Sequence, residues 1–137
     1  MIVSERKPFG VIKGILQENG FQKIAILACN GCAKFCETGG REYLDELAKR
    51  LKESGFKVVI KKLIPVLCNV DMIRKEVSEK EVEEVDCIIP VACIAGAYAI
   101  KRAFPNKKIV EANDTIGIGI RDEKGGIFLV KDLRKGV

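Results

Sequence analysis

Apolar residues along this chain follow two alternating patterns: short continuous runs, and stripes spaced by three or four positions. Phe9, Ile12, Ile15 and Leu16 form a stripe over residues 8–19, with Pro8 suited to a first helical turn and Gly20 to a stop, which predicts a helix. Residues 21–28 read as a buried strand and 29–40 as a loop. The clearest helix is 41–54, where Leu44, Leu47, Ala48 and Leu51 share one face and Gly55 suits the C-cap. A second strand is expected over 56–60, followed by a connection through Pro65 and Cys68. Residues 71–84 are helical with a break, because Ser78 and Glu81 have the spacing of a capping box.

A third strand, 85–91, is apolar almost throughout, as in a sheet covered on both faces. The helix opening at Cys93 carries Ala95, Tyr98, Ile100 and Phe104 and stops at Pro105-Asn106; Tyr98 and Phe104 read as core. Residues 108–112 form a short fourth strand. From Thr115 onward Ile116, Ile118 and Ile120 alternate, and Gly125-Gly126 separates them from 127–130, which predicts a β-hairpin. Alternating strand and helix means an α/β domain with a mostly parallel, right-handed sheet, here with a C-terminal hairpin. A length of 137 residues suits a single domain, 1–137.

Composition narrows the function class. Apolar residues make up 47% and charged residues 31%, the balance of a globular chain. The net charge of +5 is spread over basic pairs such as Lys61-Lys62 and Lys107-Lys108 with no interleaved aromatic run, so nucleic acid is not expected as a partner. Lys34 and Arg41 are expected to face solvent. The start lacks the apolar region of a signal peptide and no run has the length of a membrane span, so a cytoplasmic location is expected.

In such a compartment the six cysteines point to metal or redox chemistry rather than to a disulfide framework. Cys29, Cys32 and Cys36 follow the first predicted strand, Cys68 lies beyond the second, and Cys93 follows the third. Parallel sheets bind ligands outside the carboxyl ends of their strands, so these five thiols can gather at one edge. Cys87 begins the third strand, roughly 20 Å from Cys93, and reads as a small buried hydrophobe. The chain has no histidine, so the centre would be all-thiolate, a donor set that zinc and iron–sulfur clusters both accept. Helix N-termini after Gly40 and Cys93 would face that negative charge. Cys29 and Cys32 also have the spacing of a thiol redox pair, but the nearby third cysteine and the late helix start fit that chemistry less well. Asn113, Asp114 and Thr115 follow the fourth strand and belong either to the same edge or to an ordinary turn.

The stretch Cys29-Asn30-Gly31-Cys32-Ala33-Lys34-Phe35-Cys36-Glu37-Thr38-Gly39-Gly40 resembles the cysteine motif of the methylenetetrahydrofolate reductase C-terminal domain family. The resemblance continues through Pro65-Val66-Leu67-Cys68, through Val91-Ala92-Cys93-Ile94-Ala95-Gly96 and through Val110 to Gly117. It implies a three-layer Rossmann-like fold and a cysteine-bound centre, described as zinc or as a [4Fe–4S] cluster. It also implies partnership with the flavin-bearing reductase subunit that interconverts methylene- and methyltetrahydrofolate. Carried onto this chain, the candidate ligands are Cys29, Cys32, Cys36, Cys68 and Cys93, with one to spare. Two features depart from the family pattern. No cysteine follows Cys93, where relatives continue into a second cysteine motif, and Ile94 stands where relatives tend to carry glycine. The expectation is an iron–sulfur-binding small subunit, without catalysis of its own, that serves the flavoprotein by electron transfer or as a structural partner. The alternative is a zinc-stabilised interaction domain.

Overall fold

A computed structural model describes residues 1–135. In chain order the elements are β1 (Ile2–Arg6), α1 (Phe9–Glu18), β2 (Lys23–Cys29), α2 (Cys32–Phe35), α3 (Gly40–Glu53), β3 (Lys57–Ile64), α4 (Val70–Glu76), α5 (Glu79–Glu83), β4 (Cys87–Val91), α6 (Ile94–Ala103), β5 (Lys108–Ile109), β6 (Asn113–Arg121) and β7 (Ile127–Asp132), closed by a 3-10 turn, Leu133–Lys135. They form two sheets, a parallel one of order β3-β2-β4-β5 and an antiparallel one of order β1-β6-β7.

The parallel sheet explains the continuous apolar runs. Side chains alternate across a strand, and both faces of this sheet are covered. Ile24, Ile26 and Ala28 of β2 pack with Ile12 and Leu16 of α1 and with Leu44, Leu47 and Leu51 of α3. Ala25, Leu27 and Cys29 point the other way, into a cluster with Leu67, Ile73 of α4, Val82 of α5, and Ile100 and Phe104. Neither face can be polar, so the strand loses the in-out alternation of a half-exposed one.

The helices form where the spacing predicts. Ser78 accepts from the backbone N–H of Glu81 at 3.1 Å while Glu81 reaches back to Ser78, so the capping box splits 71–84 into α4 and α5, with Val77 extended between them. Phe104 is buried, but Tyr98 is 71% exposed and is not core. The buried stripe of α6 is Gly96, Ala97, Ala99, Ile100 and Ala103, small residues apart from Ile100, and Tyr98 lies outside it.

The second expected strand extends to Ile64 as β3, and Cys29 is the last residue of β2 rather than the first of the loop. β5 covers only Lys108–Ile109, although Val110 and Ala112 still donate backbone bonds to Ile88 and Pro90. β1 has no counterpart in the sequence-based expectation. It pairs antiparallel with β6 from Ile2↔Ile118 to Arg6↔Asn113, and so draws the hairpin into a separate sheet. The strand is short and only Val3 and Ser4 are buried, which leaves no periodic signal to read. No helix among the described residues is long and apolar enough to cross a membrane.

In the parallel sheet the chain runs from β2 through α3 to β3 on one side, then crosses to β4 on the other side of β2. The strand order therefore reverses between β2 and β4. Outside the carboxyl ends of two such strands lies the crevice where open α/β sheets bind ligands.

Candidate functional site

Cys29, Cys32, Cys36, Cys68 and Cys93 all emerge at this carboxyl edge. Cys29 closes β2 and is buried. Its sulfur accepts the backbone N–H of Gly31 at 3.3 Å and that of Leu67 at 3.5 Å, so it joins the end of β2 to the connection after β3. N–H dipoles aimed at sulfur suit a thiolate ligand. Cys32 opens α2 and Cys36 caps its end, both half-buried. Cys68 is exposed in the connection between β3 and α4, and Cys93 is the half-buried N-cap residue of α6.

The loop carrying Cys32 and Cys36 is tightly folded. Glu37 has φ 59, a left-handed backbone that a side chain disfavours by roughly 1–2 kcal/mol. It is held by its own N–H to the Lys34 carbonyl at 3.1 Å and by Arg6, whose Nε donates to the Glu37 carbonyl at 2.8 Å. Two residues on, a Cβ at Gly39 would lie 2.5 Å from the Cys29 carbonyl and 2.7 Å from the Ala33 side chain. Only glycine lets the loop fold back this closely on the end of β2.

Electrostatics tie the five thiols into one neighbourhood. Burial pushes the Cys36 thiol up, the Ser4 backbone opposes this, and the neighbouring thiols Cys32 and Cys93 push it up further. Cys36 also donates to the Ile2 carbonyl at 3.8 Å. Burial likewise raises Cys68, followed by the influence of Cys93, Cys29 and Cys32. These influences favour the protonated thiols of Cys36 and Cys68, and a metal that binds thiolates displaces such protons. Among the described residues no group of three or more His, Cys, Asp or Glu side chains is arranged to hold a metal ion. Proximity is therefore looser than coordination: the thiols sense one another without converging on a point.

Cys87 stands apart, as its place at the start of a strand predicts. It is fully buried on the α1–α3 face, and burial, then the adjacent Asp86 charge, push its thiol up to about 12. Such a thiol is inert.

Sequence patterning leaves Asn113, Asp114 and Thr115 open between this edge and a turn, and gives Ser4 and Thr38 no bracing role. Ser4 and Thr38 share a hydroxyl hydrogen bond at 2.7 Å, and Thr38 also donates to the Ala33 carbonyl at 3.2 Å. The amide nitrogen of Asn113 donates to the Thr38 and Ala92 carbonyls at 2.8 and 3.2 Å. Thr115 accepts the backbone N–H of Ile94 at 2.8 Å, satisfying a free donor at the start of α6. Asn113 and Thr115 thus belong to the edge, not to an ordinary turn, while Asp114 is exposed and pairs with Lys7. Lys34 and Arg41 are exposed, as expected, and line a cleft of about 820 Å³ in which Arg6 pairs with Glu46 at 3.2 Å. Compared with family models, with curated proteins and with solved structures, this chain matches none.

Proposed function

We propose that this chain is an iron–sulfur-binding small subunit of a methylenetetrahydrofolate reductase-type complex, serving a flavin-bearing subunit by electron transfer or as a structural partner. One observation carries the reading: five thiols from the ends of three neighbouring parallel strands share one edge of the sheet, in a chain without histidine. The donor set fits an all-thiolate centre in kind and in number, since a [4Fe–4S] cluster needs about four sulfurs. Cys29, Cys32, Cys36, Cys68 and Cys93 are the ligands to draw on, and because they form no ready-made metal site among the described residues, loading would have to bring their side chains together. A bound cluster would supply one-electron chemistry. The chain's own part is to supply sulfur, to steady its charge with the Gly31 and Leu67 N–H groups, and to keep Cys29 out of solvent.

The family reading rests on the cysteine motifs and extends to the fold, a three-layer Rossmann-like domain. Helices on both faces of the parallel sheet and the reversal of strand order beside β2 support it. Support for a protein partner comes from Phe35 and Ile120, exposed beside Cys32 on one groove. A cytoplasmic site of action agrees with six free thiols.

Anaerobic purification followed by a visible spectrum and iron, sulfide and zinc counts tests the reading. The expected result is a brown protein with about four irons per chain, bleached by Cys29→Ser. A colourless protein with zinc alone would make the chain a zinc-stabilised interaction domain, and one with neither metal would end both readings.

A further inference from the structure

Ser4, Thr38 and Asn113 are the buried polar side chains among the described residues, and all of them belong to one hydrogen-bonded group beneath the cysteine-bearing loops. Asn113 is its centre. It opens β6, is 3% exposed, and sends its amide nitrogen to two carbonyls on different loops. One, Thr38, lies just beyond Cys36. The other, Ala92, immediately precedes Cys93.

These loops have reason to drift apart. The loop after β2 leads to α3, which packs on one face of the parallel sheet, and the loop after β4 leads to α6, which packs on the other. An amide nitrogen carries two N–H donors in one plane, a hydroxyl has one, and a carboxylate has none. Asparagine is therefore the compact residue able to satisfy two carbonyls at once. The arrangement has a cost. Asn113 Oδ1 is buried without a partner, and the two donor bonds prevent the amide from turning to find one. Folded proteins rarely leave such an atom orphaned, so the two donor bonds have to offset its cost. The neighbouring contacts point the same way. Thr115, on the same strand, holds Ile94 next to Cys93, and Ser4, on β1, holds Thr38. The start of the antiparallel sheet thus grips both cysteine loops.

We propose that Asn113 is a positioning residue that sets the separation of Cys36 and Cys93 by tying their two loops together across the sheet edge. The proposal rests on the reading of the edge thiols as one centre, but its consequence exists without metal. Dibromobimane fluoresces when it bridges two neighbouring thiols. On metal-free protein, with peptide mapping of the product, the Cys36–Cys93 bridge is expected in the wild type. In Asn113→Leu it should form more slowly by about tenfold, the scale of losing buried hydrogen bonds, while circular dichroism still shows a folded chain. If Asn113→Leu fails to fold, the same ratio is read on Asn113→Ser, whose single hydroxyl cannot serve both carbonyls, and a slowing of about threefold or more is expected. Equal bridging rates in a folded variant, or no Cys36–Cys93 bridge in the wild type, overturn the proposal. Iron and zinc counts on the wild type are read separately. A metal-free protein with Asn113-dependent bridging removes the cluster and keeps the positioning role, whereas an iron-loaded protein with Asn113-independent bridging does the reverse.

Discussion

The two sheets of this protein are built on opposite terms. β2 and β4 of the parallel sheet are buried along almost their whole length, with a dense apolar cluster on each face. In the antiparallel sheet β7 has no buried residue, and Ile120, Phe128 and Val130 stay exposed. Buried hydrophobic area is the dominant favourable contribution to folding, so the parallel sheet supplies most of the stability. The antiparallel sheet supplies placement instead. Its inner residues Ser4, Asn113 and Thr115 make the hydrogen bonds that hold the cysteine loops. A structure can thus separate the part that makes it fold from the part that sets its site.

Breaking the parallel sheet is expected to have the largest effect. Leu27 is fully buried in β2, and Leu27→Ala should lower unfolding stability by about 2–5 kcal/mol in urea titrations. Val130→Ala in β7, at a residue 63% exposed, should stay within about 0.5 kcal/mol. Comparable losses at the two positions would mean that the hairpin contributes to the core after all.

Gly117→Ala attacks the antiparallel sheet alone. A Cβ there would lie within 3.0 Å of Leu129 Cδ2 and closer still to the Lys131 carbonyl, so β7 must move away from β6. The expected loss is about 1–3 kcal/mol. Hydrogen exchange should quicken across β7 while the β2 and β4 amides keep their protection. Loss of protection in β7, β2 and β4 together would show that the two sheets unfold as one unit.

A small effect is expected at the entry to β2. Asp86 accepts the backbone N–H groups of Gln22 and Lys23 at 2.8 and 2.9 Å, and these bonds, Lys23 first, hold its carboxyl below the ordinary 3.8. A carboxyl lowered by folding contributes stability above its unfolded value, and that contribution is lost as pH falls through the folded value. Asp86→Asn should therefore cost under about 1 kcal/mol at neutral pH, since the group is exposed and screened. The difference from wild type should shrink in acid. A difference that persists unchanged in acid would mean that the charge plays no part.

Much of the parallel half was legible from one-dimensional pattern. Leu44, Leu47, Ala48 and Leu51 announce α3, the Ser78–Glu81 spacing announces the break before α5, and unbroken apolar runs announce strands covered on both faces. These signals are local, because helical period, capping and strand burial are recorded in neighbouring residues. The strand-end positions of Cys29, Cys36, Cys68 and Cys93 follow from the same pattern once parallel topology is assumed, and so does the isolation of Cys87. Tyr98 reads as core but is exposed, because apart from Ile100 the buried stripe of α6 is made of small residues that carry little hydrophobic signal of their own.

What only the tertiary structure decided is the brace. β1 exists as a strand because β6 pairs with it from the far end of the chain; Ser4 and Thr38 are polar letters with no local signal, and Asn113 in isolation reads as edge or turn alike. Their meaning depends on partners 21 to 75 positions away. A local period records which face of an element is apolar. It carries no record of which distant carbonyl a buried amide will meet, and that meeting is what places the thiols.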